Sequence, residues 1–287
     1  MKILLTGAGG TLANAFERIL ASSPHHTAVF FSKAECDITI LESIESALEH
    51  AKPDVLINTA AYNAVDRAEQ ESDAAMRLNA RAVALLARAC QVRDILLVHY
   101  STDYVFDGDN PNGYSEEDEP NPLSSYGQSK REGEQALMGE AGLRYYCIRT
   151  SRLFGPRGSS IGSKPSFPQI VVERLLKGET VRLIDAEVSS PTYSDDLASA
   201  SLDMIEKKYP GGIYHRTNDG SCNWYEFGCT VAEGLKARGK AVPMIERALV
   251  DSLKREARRP AVSILRTTKL PPLRSWQEAL SEYLETV

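Results

Sequence analysis

Three residues of this 287-residue chain have the types and order to move a proton beside a reacting carbonyl: Thr102, Tyr126 and Lys130. Tyr126 and Lys130 stand four apart in "YGQSK", so a helix would bring them onto one face. A free tyrosine titrates at about 10, too high for efficient proton exchange near neutrality. A lysine ammonium one turn away stabilises the phenolate and is expected to lower that value. Thr102, in "HYSTDYVFDG", would hold the substrate oxygen while Tyr126 protonates it and a hydride reaches the carbon. Taken singly, Tyr126 reads as a half-buried aromatic and Lys130 as a surface charge. As a set they need a hydride-carrying cofactor and an element order that brings them together.

The cofactor signal is "GAGGTLA", residues 7 to 13, directly after an apolar N-terminal run. Gly7 permits the tight turn and Gly10 lets the backbone approach a pyrophosphate at a helix N-terminus. Ala13 stands at the third position, where a small residue lets helix and strand pack closely. The second strand ends "FFSK", with no acidic residue to hold an adenosine 2′-hydroxyl. Ser32 and Lys33 are suited to a 2′-phosphate instead, which favours NADP(H), with NAD(H) as the alternative.

The elements that must position these groups alternate along the first half. "KILLTG", "TAVFFS", "DVLINTA" and "DILLVHYST" read as strands, mostly apolar with little alternation, as in a parallel sheet covered on both faces. Between them "TLANAFERILASS", "ILESIESALEHA" and "DAAMRLNARAVALLARACQ" carry helical spacing. This order indicates an α/β fold with a doubly wound parallel sheet of the Rossmann type. The fourth strand then places Ser101, Thr102 and Asp103 at the carboxyl edge, where such sheets bind ligands. A Gly/Ser/Pro-rich stretch, "PRGSSIGSKPSFP", breaks the rhythm and reads as a long functional loop. Beyond it, Ser194 is expected to cap a helix with Asp195 and Asp196 in its first turn. The organisation expected is a dinucleotide-binding domain over 1–155, rejoined around 188–212. Residues 156–287 then form mainly a smaller, mixed α/β substrate-binding lobe.

Bulk properties exclude other classes. The net charge of −6 argues against nucleic acid as partner, since phosphate backbones need clustered cations. The basic run "KREARRP" (254–260) is the local exception, either a solvated segment or a clamp for an anion. No membrane-spanning stretch and no signal peptide are read, so the expected location is cytoplasmic. Cys36, Cys90, Cys147, Cys222 and Cys229 are odd in number and lack CxxC spacing, which suggests reduced thiols.

With these motifs assembled, the chain resembles the extended short-chain dehydrogenase/reductase superfamily, and within it the dTDP-4-dehydrorhamnose reductase family. The resemblance runs through "GAGGTLA", "DVLINTAAYNAVDRAE", "LNARAVALLA", "HYSTDYVFDG", "YGQSKREGE", "IRTSRLFG", "SSPTYSDDLA" and "RRPAVSILRTTKL". It implies reduction of the C4 ketone of a dTDP-linked 4-keto-6-deoxy sugar. It implies pyrophosphate contacts from Gly10, Thr11 and Leu12, with Asp37 and Ile38 flanking the adenine. Ala60, Ala61 and Tyr62 would line the cofactor, with Tyr100 beside its nicotinamide half. Thr102 and Asp103 would touch the sugar, Tyr126 would be the proton donor, and Lys130 would hold the nicotinamide ribose. A homodimer is suggested by the resemblance alone.

Two departures bear on the sugar. Where the family reads "RTSWVYG" this chain reads "RTSRLFG", so Arg152 stands in place of a tryptophan lining the sugar site. The loop after the next glycine is longer, and Ala186 and Glu187 replace an Asp-Gln pair. Glu17 and Glu187 are the acidic positions answering to a magnesium site of some relatives, and no metal is expected here. The alternatives are a reductase or epimerase of another nucleotide sugar, and a non-catalytic nucleotide-binding regulatory subunit.

Overall fold

The apolar runs without alternation become the centre of a sheet buried on both faces. The computed structural model of the chain describes residues 1–160, 162–249 and 255–287. Its first half runs β1 (Lys2–Thr6), α1 (Thr11–Ala21), β2 (Thr27–Phe31), α2 (Leu41–Ala51), β3 (Val55–Asn58), α3 (Ser72–Met76), α4 (Ala82–Gln91), β4 (Leu96–Thr102), α5 (Ser125–Gly139) and β5 (Tyr145–Thr150). Shorter pieces follow: β6 (Leu153–Phe154), α6 (Phe167–Leu176), β7 (Val181–Leu183), β8 (Val188–Ser189), β9 (Thr192–Tyr193), α7 (Ser194–Glu206), β10 (Gly212–His215), β11 (Cys222–Asn223), α8 (Trp224–Ala237), β12 (Ile245–Arg247), β13 (Val262–Ser263) and α9 (Trp276–Tyr283).

The main sheet has the order β2-β1-β3-β4-β5-β10, and every pairing in it is parallel. Helices α1 and α7 cover one face through Leu12, Phe16, Leu197 and Ile205, packed on Ile3, Leu5 and Ile148. On the other face α2, α4 and α5 bring Ile44, Leu48, Leu86 and Leu137 against Leu4, Leu56 and Leu97. The chain is therefore a doubly wound α/β fold. The strand order reverses between β1 and β3, and the loops leaving those two strands diverge to leave a crevice at the sheet's carboxyl edge.

After β5 the chain leaves the sheet, then returns through α7, which packs on α1, and β10, which pairs with β5. The remaining pieces form a second core in which Phe154, Val172, Leu175, Phe227, Val231, Trp276 and Tyr283 pack together. Helix α9 starts at a capping box in which Ser275 and Glu278 satisfy each other's backbone N–H. All five cysteines are free thiols. Among the described residues no helix is long and apolar enough to cross a membrane.

Three local expectations are corrected. The single helix read over "DAAMRLNARAVALLARACQ" is α3 and α4 joined by one wide turn, Arg77–Arg81. Such a bulge turns side chains that a regular helix would place elsewhere, here the buried Asn79. Ser194 is the first residue of α7, not its cap: its hydroxyl donates to Asp195 Oδ1 at 3.1 Å, while Asp195 and Asp196 do occupy the first turn. The run at 254–260 is not solvated throughout. Arg259 makes a bidentate pair with Asp66 (3.0 and 2.8 Å) and Arg255 pairs with Glu187. Lys254 of that run and Ile161 of the long loop lie outside the described residues.

Candidate active site

Strand β4 and helix α5 carry the three residues singled out in the sequence, and bring the Thr102 hydroxyl to the Tyr126 phenol. Thr102 is the last residue of β4, and Tyr126 lies in the first turn of α5 with Lys130 one turn on. Ser124 caps the helix by accepting from Gly127 N at 3.1 Å. Two glycines let the helix sit this close. A Cβ on Gly127 would stand 2.2 Å from the carbonyl oxygen of Tyr104, and one on Gly133 would stand 2.2 Å from that of Asn79. Farther along, Glu134 pins the helix to β5 through a bidentate bond with Arg149 (2.8 and 2.7 Å), both side chains buried. A buried pair of this kind fixes position well, because losing either partner strands the other charge.

Asn79, to which the sequence reading gave no role, ties the Tyr62 segment to helix α5. Its Oδ1 accepts from Tyr62 N at 2.8 Å, and its Nδ2 donates to Tyr62 O at 3.0 Å and to Ser129 Oγ at 2.9 Å. Ser129 in turn donates to the carbonyl of Tyr126 at 2.7 Å. The motif "LNARAVALLA" held the signal, but only the wide turn aims the side chain inward.

The electrostatics differ from the expectation for an isolated Tyr–Lys pair. Burial pushes the Tyr126 phenol up, the bond with Thr102 pulls against it, and Asp103 and Tyr104 push it further up. Lys130 does not offset this: its ammonium donates to the carbonyl of Tyr100 at 2.6 Å. Burial lowers Lys130 to about 8, so the lysine is held near its titration point. Tyr104 packs edge-on to Tyr126, ring centroids 5.8 Å apart, and burial pushes its phenol up to about 12.

Two residues expected at the ligand have other partners. The Asp103 carboxylate is enclosed by hydroxyls, accepting from Ser263 at 2.6 Å, Ser151 at 2.9 Å and Thr102 at 3.1 Å. It thus positions Thr102 and joins β4 to the second lobe. Tyr100 turns its phenol toward α7, donating to Ser201 Oγ at 2.7 Å, and offers the site only its carbonyl.

The glycine turn lies at the switch point. Gly7 has φ +87°, and a Cβ there would stand 2.7 Å from Ala60 N, so the segment Ala60–Ala61–Tyr62 runs alongside the turn. Gly10 precedes α1 with no side-chain cap, so the first N–H groups of that helix, at Thr11 and Leu12, are left for an anion. These features fit a dinucleotide pyrophosphate. The long loop lies over the same turn: Ser160 N donates to Gly9 O at 2.9 Å, and a Cβ on Gly158 would stand 2.2 Å from Gly9 O. Ile38 is buried at the start of α2's packing, while Asp37 accepts from Thr39 N at 3.0 Å and from its hydroxyl at 2.7 Å.

The end of β2 carries an acidic residue after all. Ser32 N and Ser32 Oγ each donate to Glu35 Oε2 at 2.8 Å, because the chain turns back just after the strand. The linear reading "FFSK" stopped two residues short of it. Lys33 points into solvent, 3.8 Å from Asp37.

On the second-lobe side Arg152 adopts φ +42°, a left-handed conformation that non-glycine residues seldom take. Its guanidinium holds it there, lying 3.8 Å over Trp224 and donating to the carbonyls of Cys222 (2.8 Å) and Glu187 (2.6 Å). Trp224 also meets Phe167, ring centroids 4.6 Å apart, and donates its Nε1–H to Glu187 at 2.9 Å. Trp224, a residue the sequence reading missed, thus backs the Arg152 guanidinium with an indole from α8.

A family model for the RmlD substrate binding domain matches residues 1–287. Among curated proteins, the chain is similar to a dTDP-4-dehydrorhamnose reductase of Aggregatibacter actinomycetemcomitans, at 33% identity over 97% of each chain. It is also similar to a probable dTDP-4,6-dihydroxy-2-methyloxan-3-one 4-ketoreductase of Streptomyces antibioticus, at 37% identity over 98% of this chain and 94% of that one. A crystal structure of dTDP-4-dehydrorhamnose reductase from Bacillus anthracis, in complex with NADP, covers 100% of this chain and 99% of its own. The TM-score is 0.90 and the identity 30%.

Proposed function

The chain belongs to the RmlD substrate-binding-domain family, and from that premise we propose that it reduces the C4 ketone of dTDP-4-dehydrorhamnose, giving dTDP-L-rhamnose. It is an NADP(H)-dependent oxidoreductase. The observation that carries this reading is the buried set of Thr102, Tyr126 and Lys130 at the sheet edge that also bears an uncapped glycine turn.

When bound, the cofactor supplies a hydride from its reduced nicotinamide to C4 of the sugar. Gly7, Gly10, Thr11 and Leu12 receive its pyrophosphate, and Ala60–Tyr62 flank it. Thr102 has one hydroxyl hydrogen, given to Asp103 in the resting site; on substrate binding it turns that hydrogen to the ketone oxygen and orients it. Tyr126 delivers its phenolic proton to that oxygen as negative charge develops there, so the alcohol forms without free alkoxide. Lys130, still protonated at neutral pH and anchored on the Tyr100 carbonyl, holds the ribose hydroxyls. Burial that raises the phenol in the resting site keeps it protonated until that moment. Asp103 acts as a positioning residue for Thr102.

The lobe built around α6, α8 and α9 is the substrate-binding part, with Arg152, Trp224 and Phe167 as its wall toward the sugar. The Arg152 departure and the 37% identity to a 4-ketoreductase named for a different dTDP-linked ring favour one second reading, reduction of another dTDP-4-keto sugar. A cytoplasmic location, supported by the free thiols, and a homodimer, supported by the family resemblance alone, complete the proposal. Sedimentation of the purified protein tests the dimer. For the reaction, NADPH consumption with dTDP-4-dehydrorhamnose should match rhamnose product one for one. An epimeric 4-keto sugar formed without net NADPH consumption, and no rhamnose, would instead mean an epimerase.

A further inference from the structure

The end of β2 holds a conflict that bears on cofactor choice. Gly7 N and Ala8 N both donate to the carbonyl of Phe31 at 3.1 Å, so Ser32 is fixed beside the glycine turn. In folds of this kind that position meets the adenosine ribose. A carboxylate there accepts from a 2′-hydroxyl, whereas hydroxyl, amide and cationic donors receive a 2′-phosphate. Here both kinds are present and bound to each other. The turn is closed by Glu35 N and Cys36 N donating to Ser32 O (3.1 and 2.9 Å). That places Glu35 Oε2 on both of Ser32's donors, its backbone N–H and its hydroxyl. Lys33 is left as the exposed cation, its side chain 80% accessible and its 3.8 Å approach to Asp37 loose. Asp37 is already satisfied by Thr39, and Arg77 is the other cation that acts on it.

We propose that Glu35 sets the NADP(H)-to-NAD(H) preference, by acting as an internal carboxylate that competes with the adenosine 2′-phosphate for Ser32. With Glu35 seated, the site suits a ribose 2′-hydroxyl. With Glu35 displaced into solvent, Ser32 and Lys33 receive the phosphate. The two bonds from Ser32 hold the Glu35 carboxyl below the usual carboxylate range, so the competitor stays anionic at neutral pH. This deepens the reading above, resting on a dinucleotide in the cleft but not on the sugar chemistry.

The test needs no sugar. Dissociation constants of 2′,5′-ADP and 5′-ADP are measured by calorimetry on the full chain, with NADPH and NADH in parallel, for wild type, Glu35→Ala and Glu35→Gln. Removing the competitor should tighten 2′,5′-ADP relative to 5′-ADP by about tenfold, the scale of one charge-assisted hydrogen bond regained. Glu35→Gln, which can still accept from Ser32 but carries no charge, should fall between. A ratio unchanged in Glu35→Ala overturns the proposal. Wild type binding neither nucleotide overturns both it and the dinucleotide reading. A shifted ratio in a protein that never turns over a dTDP sugar supports it while the reductase reading fails.

Discussion

Two strand ends of one sheet do their work in opposite ways. At the end of β4, Thr102 is 6% exposed, Asp103 3%, Tyr126 8% and Lys130 3%. Each is fixed by packed neighbours, by glycines with no room for a Cβ, and by hydrogen bonds that leave little freedom. At the end of β2, Ser32 is only partly covered and both Lys33 and Glu35 reach into solvent. Charges there are screened and their partners exchange readily. The contrast teaches where specificity can be adjusted cheaply. A buried constellation loses function when any part shifts, whereas an exposed charge pair only alters a ratio between two ligands.

The largest break in this contrast is Tyr126→Phe. It removes the proton donor without changing the packing, so kcat should fall by roughly 10²–10⁴-fold while NADPH binding is kept. Next comes Gly127→Ala, whose methyl would meet the Tyr104 carbonyl. A shift of the helix by about an ångström should lower kcat about 10²-fold and reduce the melting temperature as well. Gly139→Ala is the control in the same helix, since nothing lies within 4 Å of a Cβ there, and it should leave both quantities unchanged. The pH profile sharpens the comparison without any mutation. Burial lowers Lys130 to about 8 and the ammonium is the active form, so kcat/KM should fall as pH rises through that value. Lys130→Arg stays charged over this range, so any residual activity should lose that alkaline limb. The smallest effect belongs to the exposed end: Lys33→Ala should weaken NADPH binding by a few-fold, roughly the worth of an exposed ion pair. That loss should fade with added salt, and kcat should not change.

The same contrast explains what the sequence made legible. Parallel strands buried on both faces have a plain signature, and "KILLTG", "DVLINTA" and "DILLVHYST" each hold the strand expected of them. The glycine turn and the Tyr–Lys spacing were equally clear, because both are local. What was hidden depends on contacts between distant segments. Asn79 acts through a wide turn inside what reads as one helix. Asp103 looks like a ligand residue until Ser151 and Ser263 are seen around it. The spacing has Lys130 lowering Tyr126, but its ammonium is held by the Tyr100 carbonyl, on strand β4. Trp224 stacks under Arg152 from some seventy residues away in sequence, and no spacing rule links the two. Glu35 was missed for a simpler reason: the chain turns back after β2, and a reading that ends at the strand does not see it.

Hydride transfer can be followed directly with NADPH deuterated at the transferable position of the nicotinamide, incubated with the purified protein and dTDP-4-dehydrorhamnose. The account predicts dTDP-L-rhamnose with deuterium on C4, and no labelled product from Tyr126→Phe over the same time. Rhamnose without deuterium, or labelled product made equally fast by the Phe variant, would contradict it.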